Sequence, residues 1–129
     1  MGKWTDRWTD YVYALLRIVS GVLFACHGAQ KLFGVLGGRV ELHEPWGLAA
    51  GIIEFFGGVL IASGTFVCPA AFVASGEMAV AYFRAHASRG FWPIVNRGEL
   101  AVLYCFLFLY FATRGSGILS VDGLRGKRR

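Results

Sequence analysis

RIVSGVLFACHGAQKLFG, residues 17–34, is an apolar stretch that nonetheless carries Arg17, His27, Gln30 and Lys31. Wound into a helix, Arg17, Ser20, Gly21, Phe24, His27, Gly28 and Lys31 recur at intervals of three or four and share one face. The other positions, among them Ile18, Val19, Val22, Leu23, Ala25 and Leu32, are almost all apolar. A polar seam on so apolar a back suits lipid better than water. Charged side chains at bilayer depth cost several kcal/mol, so they face a protein interior or a water-filled cavity and have partners there. The partners should lie elsewhere in the chain.

The composition agrees with a membrane setting. Of the 129 residues, 56% are hydrophobic and 16% charged, and the mean hydropathy is +0.53; apolar residues gathered into runs of about 19 read as spans. The 18 glycines fit helices that approach closely in lipid. A net charge of +5 is spread over scattered and terminal basic residues that form no groove-sized patch, which excludes nucleic acid as a partner. Cys26, Cys68 and Cys105 are odd in number and lack a CxxC pair, so they read as small buried apolar residues. Phosphate-binding Walker, GxSxG, HExxH and dinucleotide motifs are absent. Residues 1–10 show neither a cleavable signal nor a myristoylation pattern, since Thr5 stands one position too early.

Taken in order, the chain predicts an all-α polytopic membrane protein, a four-transmembrane-helix bundle formed by one domain over residues 1–129. Trp4 and Trp8 suit an interfacial collar, with Thr9 or Asp10 capping the first span. The spans are expected over about 11–33, 47–67, 69–88 and 98–114. Residues 34–46, GVLGGRVELHEPW, read as a loop outside the hydrocarbon with a short strand-like or interfacial piece. Residues 55–76 carry no formal charge, but the tract from Gly47 to Ser88 is about twice a spanning length, and Pro69 suits the first turn of a new helix, which places a tight hairpin near 65–69. A basic tail, 115–129, is expected at the membrane surface. Four spans put Lys3, Arg7, Arg114, Arg125, Lys127, Arg128 and Arg129 on one side, against at most Lys31, Arg39, Arg84, Arg89 and Arg97 on the other. The excess predicts both termini in the cytoplasm.

This topology brings ionisable groups together in the outer half: His27 and Lys31, Glu54, Arg84 or His86, and Glu99. In the inner half Arg17 and Glu77 are expected as an ion pair. Glu54 shares a face with Gly47, Gly51 and Gly58, which allows close packing beside the acid. It reads first as a tether to Lys31 or Arg17 and second as a ligand or proton site. His27 has no second ligand three or four residues away, so no metal site is expected; its imidazole suits hydrogen bonding to Glu54 or to a quinone-like carbonyl. Tyr104, Phe108 and Tyr110 read as lipid-facing bulk or, alternatively, as the lining of an apolar ring slot.

The ordered combination of residues 17–34 with EFFGGVLIASG (54–64), GEMAVAYFRAH (76–86) and NRGELAVLYCFLFLYFATRGSGILSVD (96–122) resembles the DoxX family of small bacterial membrane proteins, over Leu15 to Asp122. Arg17, Gly21, His27, Gly28, Lys31, Gly34, Glu54, Gly57, Gly58, Gly64, Met78, Asn96, Gly98, Glu99 and Ser120 match its pattern. The resemblance implies four spans in a bacterial inner membrane. It also implies redox association, because related DoxD-type proteins belong to a thiosulfate to quinone oxidoreductase and some DoxX proteins are linked to complexes handling thiol stress.

The function expected is that of a membrane subunit of a quinone-linked redox system. His27, Lys31, Glu54 and Arg17 would hold a quinone headgroup or small anion, and Glu54, His27 and Glu99 would relay protons. The rival reading is a non-catalytic accessory subunit whose charges are internal tethers, and a third is a small-solute carrier. Partners beyond the lipid bilayer are expected to be other membrane subunits or further copies of the chain.

Overall fold

A computed structural model describes residues 2–126. The elements are α1 (Lys3–Phe33), α2 (Pro45–Ser63), α3 (Val67–Ala85), a 3-10 turn (Ala87–Arg89), α4 (Pro93–Asn96), α5 (Glu99–Arg114) and α6 (Val121–Leu124), with no strand among the described residues. The long helices pack in pairs, α1 on α2 and α3 on α5, and a smaller α2–α3 contact joins the pairs.

The helix ends follow local chemistry. α1 begins at Lys3, eight residues before the expected span, because Trp4 and Trp8 pack edge to face at 6.2 Å one turn apart and Asp6 lies in the positive first turn. Thr9 and Asp10 are therefore inside the helix and cap nothing; the Thr9 hydroxyl donates back to the Thr5 carbonyl at 2.8 Å. Pro45 opens α2, where its missing N–H is harmless, and Gly64 ends it in the left-handed conformation at φ +77°. α3 starts at Val67, two residues before Pro69, since a proline is tolerated throughout a first turn whose N–H groups have no helical acceptor. The loop 34–44 is irregular, held by Glu41 N donating to the Lys31 carbonyl and Gln30 Nε2 to the Leu36 carbonyl, both at 2.9 Å; no strand-like piece forms there.

The core is aromatic. Phe24 of α1 meets Phe108 of α5 at 4.6 Å between ring centroids, with Tyr104, Phe111, Ile61 and Val67 around them. Tyr104 and Phe108 thus lie inside the bundle, not against lipid; Tyr110, off their stripe, is half-exposed. Outward from this core point Val19, Leu23, Phe56, Val59, Phe72, Phe83, Leu103 and Phe106. Apolar surface on every long helix is what lipid requires and water penalises. α1 and α2 are long and apolar enough to cross a membrane. α3 matches α2 in length at 19 residues but is more polar, and α5 has 16.

Glycines set the α1–α2 distance. A Cβ on Gly21 would stand 2.5 Å from the Ala62 amide nitrogen, one on Gly28 would strike the Phe55 amide, and one on Gly58 the Ala25 amide. These are backbone atoms, which no rotamer change can move aside. Gly28→Ala and Gly58→Ala should each destabilise the bundle by about 1–3 kcal/mol, the usual range for overpacking. Gly76→Ala, with open space around it, should leave the thermal unfolding midpoint in detergent unchanged or raised.

Candidate functional site

Where α1 ends and α2 begins, the four long helices enclose a cavity of about 410 Å³. α1 contributes Phe24, His27 and Lys31; α2 contributes Trp46, Gly47, Ala50 and Glu54; α3 contributes Met78, Ala81 and Ala85; α5 contributes Leu100, Ala101 and Tyr104. Glu41, Glu44, His86 and Arg97 complete the wall from the connecting segments. A volume of this size lies within the range of roughly 300–1,000 Å³ typical of small-molecule sites.

The central contact is between Lys31 and Glu54. Lys31 Nζ donates to both carboxylate oxygens, at 2.7 and 2.8 Å. The Glu54 side chain is 2% exposed and that of Lys31 29%, the ammonium reaching the acid from the cavity side. Gly51 leaves room for this reach, since a Cβ there would press on the Lys31 and Leu32 side chains. The tether is thus formed with Lys31, and Arg17 takes no part in it. An ammonium has three protons to donate, so two bonds to Glu54 leave one for the cavity.

His27 sits beside this pair, its ring edge to face with Tyr104 at 6.2 Å, and makes no hydrogen bond to Glu54. His86 lines the opposite wall, with Nδ1 3.2 Å from the Asn96 carbonyl. Arg84 is held at the rim, 3.5 Å from Glu44 and 5.1 Å over the Trp46 ring, joining the start of α2 to the end of α3.

Two predicted site residues lie elsewhere. Glu99 is exposed in the first turn of α5 and does not line the cavity. The lining stripe there runs through Arg97, Leu100, Ala101 and Tyr104, and position 99 falls off it. Arg17 is fully buried at the far end of the bundle. Its Nη1 faces the Ile61 and Ala62 carbonyls at 3.4 and 3.5 Å, and its Nη2 the Ile118 and Leu119 carbonyls at 3.4 and 2.6 Å. The expected ion pair with Glu77 does not form. The last carbonyls of α2 carry the negative end of the helix dipole and need donors, and they lie at the level of Arg17.

Two further residues that shape the structure were not singled out as acting groups. Asn96, fully buried, donates to Tyr82 Oη and the Gly90 carbonyl at 3.0 Å and accepts from Gly98 N at 2.8 Å, fixing the 86–98 connection beside the cavity. Asp122 accepts from Phe66 N at 3.1 Å and Val67 N at 3.3 Å, capping α3 from across the chain. Residues 115–124 accordingly close the far end of the bundle instead of lying along a membrane surface, with Tyr13 Oη donating to the Gly115 carbonyl at 2.6 Å. The signal for Asp122 was its place after Ser120, whose hydroxyl accepts from Gly123 N at 2.9 Å in an ordinary cap. The basic cluster 127–129 lies outside the described residues.

Helices with outward apolar faces and an inward polar seam define an integral membrane protein. The DoxX profile matches residues 12–87. An uncharacterised protein of Haemophilus influenzae is 43% identical over 124 residues, covering 91% of this chain and 92% of its own length. No solved structure matches the chain. The chain belongs to the DoxX family, a family of membrane proteins.

Removing the Arg17 guanidinium should release the far end. Bonds to a charged donor contribute about 1.5–3 kcal/mol, and 1.4 kcal/mol is tenfold in an equilibrium. In Arg17→Met, tryptic cleavage at Arg114 and Arg125, followed by mass spectrometry, should therefore run at least about tenfold faster than in the wild type. Unchanged protection would contradict this role.

Proposed function

We propose that the chain is a subunit of a quinone-linked redox system in a bacterial inner membrane, one domain crossing four times with both termini in the cytoplasm, and that the cavity takes a quinone headgroup or a small anion. The observation carrying this reading is that all four long helices deliver side chains to one cavity, with the Lys31–Glu54 pair in its wall and His27 beside it.

Each group has a task in this reading. The third Lys31 proton is a donor for a carbonyl or anionic oxygen. The His27 imidazole supplies a second hydrogen-bonding group, and Phe24 and Tyr104 offer a ring-shaped apolar wall. Glu54 orients Lys31 and stands within one bond of it for proton exchange. Glu99, which points off the cavity wall, and Arg17, at the far end of the bundle, have no part in this reading. The electron donor is another subunit, which meets the chain through its outward apolar faces or in company with further copies.

The bidentate closure of Lys31 on Glu54 also supports the accessory reading, in which the pair joins α1 to α2 and nothing binds. Titration calorimetry of the chain in lipid nanodiscs with decylubiquinone, and separately with thiosulfate, separates the two. Saturable binding of one of them, weakened at least about tenfold by Lys31→Met through loss of a charge-assisted bond, is the expected result. No saturable heat with either compound from a folded wild-type chain would overturn the binding reading and leave the tether.

A further inference from the structure

Two acids and a single base meet in the middle of the bundle. Glu54 lies nine residues before the end of α2 (63 − 54), and Glu77 ten residues after the start of α3 (77 − 67). At about 1.5 Å per residue, both stand roughly 14–15 Å from the turn that joins the helices, at one level on antiparallel neighbours. Glu54 is 1% exposed and Glu77 4%. No donor reaches either carboxylate oxygen of Glu77. What it meets is the Glu54 carboxylate, in hydrogen-bonding reach provided that one of the two acids carries a proton.

Among the described residues no second cation is paired with either acid: Arg97 lines the same cavity but forms no ion pair with Glu54 or Glu77. From α1, Lys31 acts on both acids and is bound to Glu54, while His27 lines the neighbouring cavity wall. From α5, Tyr104 faces Glu54 with a neutral phenol. Arg17 is spent on backbone carbonyls at the far end. One ammonium balances one carboxylate. Two bare carboxylates in contact, shielded from water, would add like-charge repulsion to an unmet desolvation cost.

We propose that Glu54 and Glu77 share one proton and form with Lys31 a neutral group in which Glu77 is the proton-holding member. Glu77 does not line the cavity and Glu54 does, so Glu54 is the exit: a proton leaving Glu77 passes to Glu54 and from there to an acceptor oxygen in the cavity. Only this consequence rests on the ligand reading proposed above; the shared proton is a property of the empty chain.

Infrared spectroscopy of the whole chain in nanodiscs at neutral pH tests it. Carbon-13 labelling of glutamate separates the glutamate bands from those of Asp122 and the other aspartates. The wild type should show one protonated glutamate carboxyl per chain. Glu77→Gln and Glu54→Gln should each show none, because a single acid remains opposite Lys31, and Lys31→Met should show two. Gel filtration confirms that each variant is folded, and the wild type with either glutamine variant suffices for the decision. No such band in the wild type, or one band persisting in a folded glutamine variant, would overturn the proposal. Loss of quinone or thiosulfate binding with these bands intact would instead count against the cavity reading alone.

Discussion

The structure depends on α1 and α2 touching backbone to backbone. Apolar side chains gain nothing by leaving lipid for one another, so helices in a membrane are held by close packing and by polar contacts that lipid cannot replace. Gly21, Gly28 and Gly58 remove the side chains that would keep the two axes apart. That approach places Lys31 over Glu54, and a buried carboxylate becomes tolerable. A leucine at any of these positions would strike the facing backbone and hold the two helices apart.

The two ends of the bundle meet their charges differently. At the turn end, Arg17 is surrounded by four backbone carbonyls, and Asp122 holds two backbone amides. Such partners are fixed by the fold and leave no space. At the other end, Lys31, Glu54, His27 and His86 are arranged around a volume; Lys31 and Glu54 are partnered by each other's side chains, and only His86 meets a backbone carbonyl. The first arrangement closes a structure. The second has room for a molecule, which is why the functional reading attaches there and not to the more deeply buried arginine.

Much of this was legible in residues 17–34. Five of the seven seam positions, Arg17, Ser20, Gly21, Phe24 and Gly28, lie on the buried face of α1, while His27 is exposed and Lys31 half-buried at the cavity. Counting depth along two helices brought Glu54 to the level of His27 and Lys31 but left Lys31 and Arg17 both open as its tether; the structure selects Lys31. Counting failed where partners were not side chains: Arg17 was matched to the nearest acid, whereas helix-end carbonyls, invisible as letters, claimed it. Glu77 was consequently read as a partner for Arg17 and not as the neighbour of Glu54. Glu99 was placed by depth alone, which says nothing of the direction in which a helix turns its side chains. The fold of 115–124 rests on long-range contacts to Gly64, Phe66 and Val67 that no local pattern announces.

Membership of the DoxX family and an all-helical membrane architecture fit this account, but its centre is a contact that can be measured. Solid-state magic-angle-spinning spectroscopy of the chain in lipid bilayers, with nitrogen-15 at Lys Nζ and carbon-13 at Glu Cδ, reads that contact directly. Strong nitrogen–carbon dipolar dephasing is expected for Lys31 Nζ and Glu54 Cδ, in keeping with oxygens 2.7 and 2.8 Å from the nitrogen, and it should vanish in Glu54→Gln when the signal is assigned through that variant. A Lys31 nitrogen with no dephasing from any glutamate carboxyl carbon would contradict the account.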